Sequence, residues 1–184
     1  SVGPKEALDQ LLKSGIPVVL VDPHRSVGST PQLIRTIADA VGKPDAGEAL
    51  VKRTQEQIDQ AKKQIAAWNP AKPMRVAFLY VRGNAGVFFI LGSENGASEL
   101  IQGVGADDVA SDKGITTLVP ANAESLVSIN PDAIFVMRDG LASTGGMKGL
   151  LARAGVANTT AGRKQRVISI PDGISLSFGP QTGE

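Results

Sequence analysis

A long, mostly polar helical stretch, Asp45 to Trp68, stands between segments in which strand and helix patterns alternate, and no other feature constrains the chain as much. Its less polar positions Leu50, Val51, Thr54, Ile58, Ala61, Ile65 and Trp68 recur every three or four residues and form a narrow stripe on a charged rod. At 1.5 Å per residue, about 24 residues span roughly 36 Å, close to the diameter of a small domain. A helix of that length with one apolar edge reaches from one lobe to another. The expected fold class is therefore α/β, with Rossmann-like lobes, a mainly parallel sheet and the long helix joining them. Residues 1–44 are read as part of a first lobe, 45–73 as the helix and its linker, and 74–184 as the second lobe.

Ile16 to Asp22 is nearly all apolar, the pattern of a parallel strand buried on both faces. Ser29-Thr30-Pro31 starts a helix with a hydroxyl cap and an early proline, and Gly42 closes it after Val41. Beyond the break at Asn69-Pro70 come strands at Met74 to Val81, Gly86 to Leu91, Ala133 to Met137 and Arg166 to Ile170. Helices fall between them at Ser98 to Val104, Ala123 to Ile129 and Gly146 to Ala154. Alternation of this kind implies a sheet with helices on both faces.

The net charge of +1 gives no electrostatic argument for nucleic acid or an anionic membrane. The densest basic cluster, Arg163, Lys164 and Arg166, reads as a solvated turn before a strand. The lack of cysteine excludes disulfides, thiol catalysis and Cys-ligated metal. No apolar run approaches the ~18 residues of a membrane span, and no signal peptide is visible. Both ends of the chain look cut from a longer one.

In open α/β sheets, ligands bind beyond the carboxyl ends of the strands. Three short groups follow from that rule: Tyr80, Val81 and Arg82; Met137, Arg138 and Asp139; Asp22, Pro23 and His24. Tyr80 and Arg82, two apart on a strand, share a face. A guanidinium beside a phenol favours the phenolate, a hard anion suited to ferric iron, and tyrosine is among the axial ligands of haem. A strand-end tyrosine in water beside a surface arginine remains the plainer alternative. Met137 reads as core or as a thioether lining a haem pocket, and His24 as a loop histidine. Gly140 to Gly146 lies where a phosphate loop would, between a strand and a helix, but lacks both phosphate-binding fingerprints. Asp107-Asp108 and Glu94 read as turn and cap residues.

The residues of this chain resemble those of substrate-binding proteins of bacterial iron-chelate ABC transporters, in their haem-binding branch. The resemblance runs over essentially the whole length. It is carried by Val2-Gly3-Pro4 and Ile16-Pro17-Val18-Val19, by Phe78-Leu79-Tyr80-Val81-Arg82-Gly83, by Ala123-Glu124-Ser125-Leu126 through Asn130-Pro131-Asp132-Ala133-Ile134, by Gly140-Leu141 leading to Gly145-Gly146, and by Phe178-Gly179-Pro180. It implies a periplasmic-binding-protein fold, no catalysis, and haem held with Tyr80 as an axial ligand of ferric iron, Arg82 supporting the tyrosinate and Met137 lining the pocket. It also implies an extracytoplasmic protein, periplasmic or lipid-anchored, that hands haem to permease subunits, with Glu99 as the expected docking carboxylate.

Against that family, most of the first lobe is missing here, and with it the histidine that supplies the opposing axial ligand, a role His24 does not inherit. Signal and anchor would lie in the missing part. A chain so divided is expected to self-associate through the edge around Ile16 to Asp22. Two rivals stand beside the haem reading: a siderophore or cobalamin receptor of the same transporter class, and an α/β enzyme acting on a phosphorylated small molecule through Gly140 to Gly146.

Overall fold

The structure, a computed structural model, describes residues 5–22, 26–68, 71–83, 86–175 and 177–183. Its helices are α1 (Lys5–Lys13), α2 (Thr30–Ala40), α3 (Pro44–Trp68), α4 (Ala97–Gly103), α5 (Val109–Asp112), α6 (Ala123–Ile129), α7 (Arg138–Ser143), α8 (Gly146–Leu151), α9 (Thr160–Arg163) and α10 (Asp172–Ser175). Its strands are β1 (Arg75–Arg82), β2 (Val87–Ile90), β3 (Asp107–Asp108), β4 (Val119–Pro120), β5 (Ala133–Met137) and β6 (Val167–Ile170). The chain divides into two compact units, one of residues 1–58 with 178–184, the other of residues 59–177, and α3 runs through the division.

In the first unit α2 buries Thr30, Ile34 and Ala38, and α3 buries Gly47, Val51, Thr54 and Ile58. Gly47 is the close-approach residue: a Cβ there would stand 2.4 Å from the Ala38 side chain. The C-terminal segment returns to the same helices. The Thr30 hydroxyl donates to the Phe178 carbonyl at 2.9 Å, and Thr54 donates to the Pro180 carbonyl at 3.3 Å.

The second unit is built on one sheet of order β4-β2-β1-β5-β6, with β3 alongside the start of β1. β1 pairs in parallel with β3 and β5, and β5 with β6, whereas β2 is antiparallel to both β1 and β4. Side chains alternate across the sheet, so β1 sends Ala77 and Leu79 into one core and Val76 and Phe78 into the other. Phe78 meets Phe135 of β5 edge to face, with ring centroids 6.4 Å apart. α6 starts with a reciprocal cap: the Ser125 amide donates to Asn122 Oδ1 at 2.9 Å and the Asn122 amide donates to Ser125 Oγ at 3.0 Å.

One expectation from the sequence is corrected. Ile16 to Asp22 forms no strand, and Ile16, Val19 and Leu20 are 60%, 53% and 54% exposed. A strand needs a neighbouring backbone to complete its ladder, and no strand of the described residues pairs with this segment. The stretch Gly140 to Gly146, which lacks the phosphate-binding fingerprints in sequence, is not a continuous loop either. Its first half is helical in α7, where Gly140 is buried and Leu141 packs on the core.

Candidate functional site

Strands β1, β5 and β6 run parallel, so their carboxyl ends emerge on one side of the sheet. The register pairs Leu79 with Val136 and Met137 with Ile170, which brings Tyr80, Met137 and Ile170 into a row on the Val76–Phe78 face. All three are partly buried against that core. Tyr80 and Arg82 do share a face: the Arg82 guanidinium carbon lies over the Tyr80 ring, 5.0 Å from its centroid.

The N–H donors of Arg82 are directed elsewhere than the phenol oxygen. Nη1 donates to the Val81 carbonyl at 3.2 Å, and Nη2 to Met137 Sδ at 3.2 Å and Asp172 Oδ1 at 2.8 Å. A carboxylate is a better acceptor for a guanidinium than a phenol oxygen is. The other Asp172 oxygen, Oδ2, accepts the Asp139 amide at 2.8 Å. Among the described residues the Tyr80 hydroxyl has no hydrogen-bond partner, and it is not sealed from solvent. Tyr80 thus has an unpartnered hydroxyl among the described residues and a cation over its ring, with Met137 on the same face of the sheet.

The backbone after β1 is pinned from two sides. The Gly83 amide donates to Ser143 Oγ at 2.7 Å, and the Arg153 guanidinium donates to the Gly83 carbonyl while lying 4.8 Å from the centre of the Phe88 ring. Gly140 faces Arg82 directly: a Cβ there would stand 2.5 Å from the Val81 carbonyl oxygen and 2.8 Å from Arg82 Nη1.

Of the residues singled out in the sequence, Tyr80, Arg82 and Met137 converge. Glu99 lies half-buried in the first turn of α4, a helix that packs Ala97 and Ile101 on the same side of the sheet as Tyr80. His24 lies outside the described residues. Asp108 caps α5 through the Ala110 amide and takes the Ser98 hydroxyl, the structural role expected of it. Asp172 is a site residue that no sequence motif marks, and Gly140, which the sequence places in a glycine-rich stretch, acts here through the room it leaves for Arg82. The strand-end rule, applied to β6 as it was to β1 and β5, points to Pro171 and Asp172.

The profile of the family described as "Periplasmic binding protein" matches residues 2–173. The chain belongs to the periplasmic binding protein family. Among solved members of known ligand, the chain is similar to the heme binding protein HmuT, with 48% identity, a TM-score of 0.93, and coverage of 98% of this chain and 59% of that one. HmuT has also been solved with alanine in place of a tyrosine and in place of an arginine two positions later. The periplasmic heme-binding protein RhuT of Roseiflexus sp. RS-1 is 34% identical at a TM-score of 0.91, over 98% of this chain and 68% of RhuT. The ABC transporter substrate-binding lipoprotein YvrC of Bacillus subtilis (strain 168) is 24% identical over 176 residues, which are 96% of this chain and 53% of YvrC. The chain thus spans between half and three fifths of the length of HmuT and YvrC.

Proposed function

We propose that this periplasmic binding protein holds haem outside the cytoplasm and delivers it to the permease of an ABC transporter, without catalysis of its own. The observation that carries the reading is the open Tyr80 hydroxyl at the ends of three parallel strands, under the charge of Arg82 and in line with Met137. Deprotonated, it is an anionic oxygen ligand of the kind ferric haem accepts. The neighbouring Met137 thioether suits the apolar face of a porphyrin. Support also comes from the relatives named as heme-binding and from the two-residue spacing of the tyrosine and arginine replaced in HmuT, the spacing of Tyr80 and Arg82 here. A siderophore or cobalamin would need no open phenol on iron.

In this reading Tyr80 is the iron ligand, Arg82 and Met137 line the haem site, and Glu99 is the carboxylate that meets the permease. The exposed Ile16, Val19 and Leu20 support pairing of two copies in solution, which light scattering at rising concentration reads directly. The test of the ligand is a haemin titration followed by absorbance, run beside a ferric siderophore and cobalamin. Haemin uptake that falls at least about a hundredfold in Tyr80→Ala is expected, since loss of a ligand costs more than loss of its outer partners. Equal uptake by the variant, or preference for either competitor, overturns the proposal.

A further inference from the structure

We propose that Asp172 is a positioning residue for the Tyr80 site: its carboxylate holds the Arg82 guanidinium over the Tyr80 ring and so sets how that charge is presented to a bound ligand. The inference rests on the reading of Tyr80 as the iron ligand, and it concerns a residue with no part in that reading.

Arg82 is a long side chain with many rotamers, and something must select the one that covers the ring. Its acceptors are unequal. The Val81 carbonyl is adjacent in sequence and reached at 3.2 Å, and the Met137 sulfur, also at 3.2 Å, is a weak acceptor. Asp172 Oδ1, at 2.8 Å, is the charged partner, and charge-assisted hydrogen bonds are the stronger and more directional kind.

The carboxylate is itself fixed. With Oδ2 held at 2.8 Å by the Asp139 amide, where β5 gives way to α7, it cannot rotate without breaking that bond. A second constraint acts at the other guanidinium nitrogen. Gly140 in α7 leaves open the volume that Arg82 Nη1 occupies, and any Cβ there would enter it. The guanidinium is thus located by groups from the ends of all three parallel strands: its own on β1, the start of α7 after β5, and Asp172 after β6. A part-exposed ion pair of this kind contributes little to folding stability. Its removal should leave the fold intact and the site changed.

Tyr80 is the only tyrosine in the chain, so labelling tyrosine with carbon-13 gives ring signals that belong to it alone. The spectra to compare, without haem, are those of the starting chain, Asp172→Asn, Arg82→Ala and the double variant. Asparagine keeps an oxygen for the Asp139 amide and loses the charge. Asp172→Asn is expected to move the Tyr80 signals in the direction that Arg82→Ala moves them, and to have no further effect once Arg82 is absent. Signals that stay at their starting position in Asp172→Asn, or that shift equally with and without Arg82, overturn the proposal.

Haemin titrations of the same four proteins supply the functional arm. Asp172→Asn is expected to weaken binding about tenfold, the scale of one charge-assisted hydrogen bond, and the double variant to bind no more weakly than Arg82→Ala. Additive losses would show that Asp172 does not act through Arg82. Should the starting chain take up no haemin, the haem reading fails, while the Tyr80 signals still decide whether Asp172 positions Arg82.

Discussion

Two apolar runs of similar composition meet opposite fates in this molecule. Ala133–Met137 becomes β5, lying between β1 and β6 with its first four residues buried, while Ile16 to Asp22 lies outside any helix or strand with Ile16, Val19 and Leu20 exposed. Both read as strands buried on two faces. What separates them is strand pairing: β5 has a strand on each side, and no described strand pairs with the other run. An apolar run supplies the material of a strand, and a partner supplies the strand itself.

The contrast gives a graded set of expected outcomes. Ile134, fully buried in β5, should lose about 2–5 kcal/mol of stability as Ile134→Ala, the usual range for a buried aliphatic side chain. A urea midpoint close to that of the starting chain would mean that the second unit is not the stable core of the protein. Gly140→Ala should cost less, roughly 1–3 kcal/mol as overpacking does, yet weaken haemin binding because Arg82 must move. Unchanged binding in a folded variant would show that the room beside Arg82 is immaterial. Val19→Ser should stay within about 0.5 kcal/mol of the starting stability, as exposed positions do, and a larger loss would reveal a partner for the Ile16 to Asp22 run.

The smallest effect belongs to the exposed pair of Arg35 and Glu48, whose contacts are 2.6 Å and 3.1 Å. The hydrogen bond from Arg35 holds the Glu48 carboxyl below the usual carboxylate range, opposed by desolvation and helped to a lesser degree by the Arg35 charge. A carboxyl lowered on folding contributes stability at pH values above its unfolded-state value, and the contribution disappears as pH falls through the folded-state value. Glu48→Gln should therefore differ from the starting chain near neutrality and converge with it in acid, by an amount kept small because solvent screens a pair at the surface. A difference that widens toward acid would reverse the sign.

Much of this architecture was legible because it is local. The helix Ala123–Ile129, the buried run of Ala133–Met137 and the long helix each show within a few residues of sequence, and the structure has them with nearly the same bounds. The common face of Tyr80 and Arg82 followed from strand alternation alone. Asp172 was not legible in that way: it meets Arg82 across 90 positions, through a sheet order that no local pattern specifies. Gly140 looked like a loop glycine because its need for space is set by Val81 and Arg82, on another strand. The two-residue strands β3 and β4 are too short to carry a periodic signal.

The central claim is that Tyr80 is the group that holds the ligand's iron. The most direct measurement is the visible absorption spectrum of the haemin-loaded chain beside that of Tyr80→Phe, which removes one oxygen and keeps the ring under Arg82. The starting chain should show the bands of tyrosine-ligated ferric haem, and the phenylalanine variant should lose them together with most of its affinity. Identical spectra and affinities in the two proteins would contradict the assignment.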